Sequence, residues 1–302
     1  TVGKLLGVQK DTDLSLRGAT QSTRRITPPL QASGGTKTTS GDYTIHTFSY
    51  PTSDNFEVTS GSGEIDVLVI AGGGAGGSGD PQGWYGGGGG AGGYVYVTGY
   101  AVTPGTIPVS IGQGGTGNPG NRGNNGGDTT FNAPAPNASK ILAKGGGGGG
   151  DGQYPSTSPV APGNPGGSGG GSGSHYDPPA TPGGTALQPS QNPGFSNGTL
   201  EQYGFAGGTE NGSNSGDGRG GGGGGSGSAG QESPGGSPNG GGGSGRANSI
   251  SGSSVTYAGG GESYRDDPHP APGAAGSGGN GVESTQSGNS GQPGVIIVRY
   301  LT

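Results

Sequence analysis

Apolar positions in this chain are confined to a few short stretches, and their spacing is that of strands. Asp42-Tyr43-Thr44-Ile45-His46-Thr47-Phe48 alternates, with Tyr43, Ile45 and Thr47 on one face and Thr44, His46 and Phe48 on the other. Phe56-Glu57-Val58 follows after a turn. Ile65-Asp66-Val67-Leu68-Val69-Ile70 is almost continuously apolar and β-branched, which predicts a strand buried on both faces. Tyr94-Val95-Tyr96-Val97 and Thr106-Ile107-Pro108-Val109-Ser110-Ile111 predict two more, Pro108 placing the latter at a sheet edge or bulge. The last is Val295-Ile296-Ile297-Val298-Arg299-Tyr300-Leu301. Helix signals are absent.

Short strands joined by Gly, Asn and Ser turns predict an all-β protein built on an antiparallel β-sandwich. More than 180 residues separate Ile111 from Val295, and few of them are apolar. Only Ile141-Leu142, Gly204-Phe205-Ala206 and Val255-Thr256-Tyr257-Ala258 look strand-like there. The terminal strand needs a core, and only the N-terminal module supplies one. The long interval is therefore expected to leave the sandwich and return to it. The expected organisation is an extended arm over residues 1–33, a β-sandwich over 34–112 closed by 294–301, and a glycine-rich region over 113–293.

Composition says what fills the interval. Glycine accounts for 83 of 302 residues and proline for 24, and only 24% of residues are hydrophobic, about half the usual share. Collagen is excluded, because continuous runs such as 86–90 and 145–150 break any three-residue glycine period, and 154–159 has no glycine. The chain has neither cysteine nor methionine, so it forms no disulfide or thiolate metal site. Eight short runs recur between Pro, Tyr and Asn loops: 72–77, 86–93, 145–150, 166–173, 220–225, 240–245, 259–261 and 278–279. One run would read as a flexible linker; eight read as repeated elements.

Polyglycine has no side chains with which to build a core. It can adopt an extended left-handed helix with three residues per turn, whose N–H and C=O groups all point outward. Such strands laid side by side saturate one another's backbone groups, and only glycine permits the approach. The fold expected here is thus a sandwich carrying an inserted polyglycine type II helix bundle, with long Pro/Asn/Ser loops.

The net charge of −6 argues against general nucleic-acid binding. Residues 1–33 run against this trend at a net +3, through Lys4, Lys10, Arg17, Arg24 and Arg25, and are read as an arm that docks on a partner. No apolar run reaches the length of a membrane helix, so no membrane insertion is expected. Thr1-Val2-Gly3-Lys4 does not open a charged-then-apolar leader, so a chain without a secretory signal is expected.

The series from Gly41-Asp42-Tyr43 through Val67-Leu68-Val69-Ile70-Ala71-Gly72-Gly73-Gly74 to Gly86–Gly90, Ala91-Gly92-Gly93-Tyr94 resembles the glycine-rich domain of tailed-phage tail-fibre, adhesin and virion proteins. Val102-Thr103-Pro104-Gly105, Gly126-Gly127-Asp128-Thr129-Thr130-Phe131 and Gly294-Val295-Ile296-Ile297-Val298-Arg299-Tyr300 continue it, so it spans about residues 34–302. The resemblance implies a virion structural protein, assembled in the host cytoplasm, whose loops touch a host surface glycan or outer-membrane protein. It implies docking on other virion proteins through residues 1–33, and a homotrimer, the common symmetry of phage fibres. The alternatives are a purely structural decoration or connecting protein of capsid, neck or baseplate, or a cell-surface filament subunit.

Nothing in the sequence assembles an active site. No G-x-x-x-x-G-K-[ST] loop is present. His46, His175 and His269 share no metal-ligand spacing. No enzyme activity and no cofactor are expected. Recognition loops are the better candidates, through Trp84, Tyr85, Tyr154, His175, Tyr176, Phe195, Tyr203, Tyr264, Arg265 and His269, since exposed aromatics give contact area at low entropy cost. The competing role for these rings is to cover the flanks of the glycine tracts.

Overall fold

A computed structural model describes residues 28–302, apart from 53, 134, 153–161, 176–179, 211–218, 234–239, 264–273 and 284. The arm candidates Lys4, Lys10, Arg17, Arg24 and Arg25 lie outside the described residues, as do Tyr154, Tyr176, Tyr264, Arg265 and His269.

The chain is all-β. Its strands are β1 (Gln31–Ser33), β2 (Thr36–Ser40), β3 (Tyr43–Ser49), β4 (Phe56–Ser60), β5 (Gly63–Ile70), β6 (Tyr94–Val102), β7 (Gly105–Ile107), β8 (Val109–Ser110), β9 (Thr129–Phe131), β10 (Ile141–Ala143), β11 (Thr199–Tyr203), β12 (Arg246–Asn248), β13 (Val255–Tyr257) and β14 (Val295–Leu301). The one helical element among the described residues is a 3-10 turn at Gln188–Ser190. An antiparallel six-stranded sheet runs β11-β6-β5-β14-β3-β2. Two three-stranded sheets, β1-β4-β7 and β10-β9-β8, pack on one face of it, and the β12–β13 hairpin covers the other.

The period-two alternation of the strands explains this layering. On the sandwich side, Val67 and Val69 of β5, Val95 and Val97 of β6, and Ile296 and Val298 of β14 meet Phe56, Val58, Phe131 and Ile141 from the small sheets. On the other side, Leu68, Ile70, Tyr94 and Ile297 meet Ile250, Tyr257 and Ala258. β5 is therefore buried on both faces over Val67–Ile70, as its nearly continuous apolar run predicts. β14 lies between β5 and β3, with Ile296 opposite both Val69 and Phe48, so the end of the chain completes the middle of the sheet. The pairing of β5 with β6 shifts register between Ile65 and Val67, where Gly99 adopts φ +70°. That bulge keeps Val97 and Tyr100 in the same core.

Three expectations are corrected. Pro108 stands beside sheet edges, as expected, but divides its stretch into two edge strands, β7 and β8, of different small sheets. Gly204-Phe205-Ala206 is not a strand: pairing with β6 stops at Tyr203, and the Phe205 carbonyl instead accepts from the amide of Gly169. Gln31–Ser33 pairs with β4, so those residues belong to the sandwich and not to the arm.

His46 is fully buried on the sandwich side. Its Nδ1 lies 2.7 Å from the Gly34 carbonyl, its Nε2 3.3 Å from the Tyr300 hydroxyl, and its ring meets Phe56 edge-on. Burial pushes its pKa below the ordinary histidine value, the Gly34 carbonyl opposing the shift. A depressed folded-state pKa gives a stabilisation that is complete above about pH 6.5 and is lost as pH falls through the folded value. Thermal melting followed from pH 8 to pH 5 is expected to show a falling Tm, and His46→Asn to flatten that fall. Equal slopes in the two proteins would refute the assignment.

Beyond the sheet, the glycine tracts lie side by side and bond through their backbones. In tract 86–93, the amides of Gly86, Gly89 and Gly92 donate to the carbonyls of Val282, Gly279 and Gly276. Those of Gly87, Gly90 and Gly93 donate to Gly150, Gly147 and Lys144, and those of Gly88 and Ala91 to Gly221 and Gly224. Its carbonyls accept from Gly77 and Gly74, from Gly171 and Ser168, and from Gly261. These bonds are 2.7–3.1 Å long. The partner changes with each residue and recurs every third, so one tract addresses six neighbours. All eight runs lie in this array. It also recruits 111–117, 122–128, 181–187, 204–210, 228–233 and 288–294, which are not polyglycine.

Candidate functional site

The tracts carry the chain away from the sheet and back. After β5, residues 71–79 run outward, a turn at 80–85 reverses them, and 86–93 return to β6. Residues 111–117 and 122–128 do the same between β8 and β9. Several turns consequently meet in one layer at the end remote from the sheet. The Ser78 hydroxyl lies 2.8 Å from the carbonyls of both Asn118 and Gln286, the Ser174 amide donates to Tyr85 O at 2.9 Å, and the Gly86 amide to Val282 O at 3.0 Å.

Trp84, Tyr85 and His175 belong to this layer, but as packing groups. They are only 2%, 4% and 7% exposed, so the expectation that they offer free rings to a receptor is corrected. Asp80 shapes the turn: one carboxylate oxygen accepts from the amides of Gln82 and Trp84, and Gly83 takes φ +93°. Tyr85 is held through its amide to the Ser174 hydroxyl at 2.6 Å. Phe195 and Tyr203 lie at the opposite, sheet end. Phe195 packs on Tyr100 with ring centroids 6.4 Å apart. Tyr203 packs on Tyr94 at 5.9 Å, under the Arg246 guanidinium at 3.5 Å. An array without side chains offers rings no interior, so they bury themselves along its borders or on the sheet.

An asparagine-lined groove of about 680 Å³ begins at the remote layer and runs along one flank. One wall comes from residues 118–125 and the other from Asn164 and Pro165. Tract 122–128 explains its residue types, because its three rows have three duties. The carbonyls of Asn121, Asn124 and Gly127 accept from Ser78, Ala75 and Gly72. The amides of Gly123 and Gly126 donate to Gly149 and Gly146. In the remaining row side chains replace backbone: Asn125 Oδ1 accepts from the Gly148 amide at 2.9 Å, Asp128 Oδ1 from the Gly145 amide at 2.8 Å, and Arg122 pairs with Asp151 at 3.5 Å. The walls are tied together by Asn125 Nδ2 donating to Pro165 O at 3.3 Å, and by a long bond of 3.5 Å from Asn164 Nδ2 to Gly123 O. Sequence reasoning missed this groove. Its signal is asparagine density, four within residues 118–125, where a turn at 118–121 joins two tracts.

Among the described residues, no three His, Asp or Glu side chains converge as a metal site, and no helix is long and apolar enough to cross a membrane. A family described as a glycine-rich domain matches residues 49–263, more than half of the chain. No curated protein matches it.

Proposed function

The chain belongs to the glycine-rich domain family, and from that premise we propose that it is a structural protein of a phage virion, a tail-fibre or tail-tip component that presents the remote end of its glycine array to the host. The observation that carries this reading is the gathering of turns at the end of the array opposite the sheet, while the chain enters the sandwich at β1. Docking on other virion proteins through residues 1–27, threefold assembly and the absence of catalytic activity are parts of the same proposal. The tracts are read as polyglycine II helices, and the three-residue recurrence of bonding partners supports that conformation. Display in several copies would convert weak single contacts into firm attachment.

Deletion of residues 1–27, which spares β1, is expected to leave a folded protein that fails to join the particle. Melting and particle composition check the two halves of that statement, and normal incorporation would overturn the arm. Imaging of labelled particles is expected to place the chain at the distal tail. A position on every capsomer would establish the decoration reading instead.

A further inference from the structure

We propose that the asparagine-lined groove along tract 122–128 is a binding site for a neutral polysaccharide chain. The inference rests on the recognition half of the proposed function and names the class of ligand. A planar amide offers an acceptor and a donor side by side, which suits the paired hydroxyls of a sugar ring. The groove repeats that group. Asn121 Nδ2 donates to Pro119 O at 2.9 Å and Asn124 Nδ2 to Thr116 Oγ1 at 2.9 Å, so both amides are oriented before any ligand arrives. Their Oδ1 atoms, that of Asn164, and both ends of the Asn118 amide have no bonding partner among the described residues.

The groove therefore offers both carbonyl acceptors and spare amide N–H donors, and a ligand rich in hydroxyls, which donate and accept alike, complements them. Its charge is compensated, because the Arg122 guanidinium is paired with Asp151. That selects a neutral sugar over a uronic acid or a phosphate. Asn121 and Asn124 lie three residues apart, roughly 9 Å at a rise of ~3.1 Å per residue. A repeating ligand laid along the tract would meet the same group at both positions. The scaffold is also stiff, since tract 122–128 is bonded through its backbone to 72–78 and 146–149 and through Asn125 and Asp128 to 145–148, so little ordering entropy opposes binding.

The test uses the full chain on an array of bacterial oligosaccharides, half neutral hexose and N-acetylhexosamine polymers and half uronic-acid polymers. Retention by neutral members is expected, with at least a tenfold weakening in Asn121→Ala/Asn124→Ala at an unchanged Tm. Asn164→Ala, on the opposite wall, is expected to weaken the same members, and it keeps the proposal testable if the double variant folds poorly. No retention, retention unaltered by the variants, or retention of uronic-acid polymers alone would overturn it. Particle imaging stands apart from this result: a distal position with no sugar retained would sink the groove and leave the virion reading intact.

Discussion

Gly223→Ala is expected to lower stability by about 3–5 kcal/mol, a large loss for one methyl group. Gly223 lies inside the array, and a Cβ built on it would fall far within van der Waals contact of the Gly89 carbonyl oxygen. The obstacle is backbone, which no rotamer change can move aside. Yielding would stretch the bonds from Gly223 to Gly261, at 2.8 Å, and from Gly89 to Gly279, at 2.8 Å. Each such bond contributes about 1 kcal/mol net, and a buried amide left without its acceptor costs more. Gly88→Ala should behave alike, because its Cβ would meet the Gly261 carbonyl. Gly63→Ala is the control, since the nearest atom to its Cβ is Leu30 Cδ2 at 4.0 Å. It should be neutral or slightly stabilising, because alanine narrows the unfolded ensemble. Thermal melting of the three variants is the measurement. Equal Tm values for Gly223→Ala and the unaltered chain would remove the close-approach argument.

Removal of residues 294–302 is expected to abolish cooperative folding. Without β14 the large sheet divides into β11-β6-β5 and β3-β2. Ile296 and Val298 are fully buried, and their loss would open a cavity in the sandwich, while loss of Val295 and Ile297 would open one under the hairpin. The array loses its anchor as well, because the Gly294 amide donates to Gly112 O at 2.9 Å. Ile296→Ala is the graded version, expected to cost about 2–5 kcal/mol. Circular dichroism and denaturant melting distinguish the outcomes. A truncated chain with a sharp native-like transition would show that β14 is dispensable.

Much of the sandwich was legible because its strands carry their environment in their own side chains. The nearly continuous apolar run at 65–70 reads as doubly buried, and the equally apolar 295–301 reads as its partner despite the distance between them. The site was far less legible. Trp84 and Tyr85 look like binding residues beside a glycine run, yet they are buried. Their burial depends on neighbours such as Ser174, almost 90 residues away. Phe195 and Tyr203 looked like part of a recognition loop, but β11 joins the large sheet and carries Tyr203 to the end opposite the turns.

Alone, the sequence determined that strands must form where β-branched residues cluster and that the glycine runs can gain stability only by bonding to other chain segments, because hydrophobic burial and backbone saturation are demanded locally. Which tract meets which was decided only by the tertiary structure, since glycine runs are interchangeable in composition and a peptide group bonds equally well to any other. The same assembly decided that Asn125 and Asp128 close the open border of tract 144–151, and so left Asn118, Asn121 and Asn124 lining a groove.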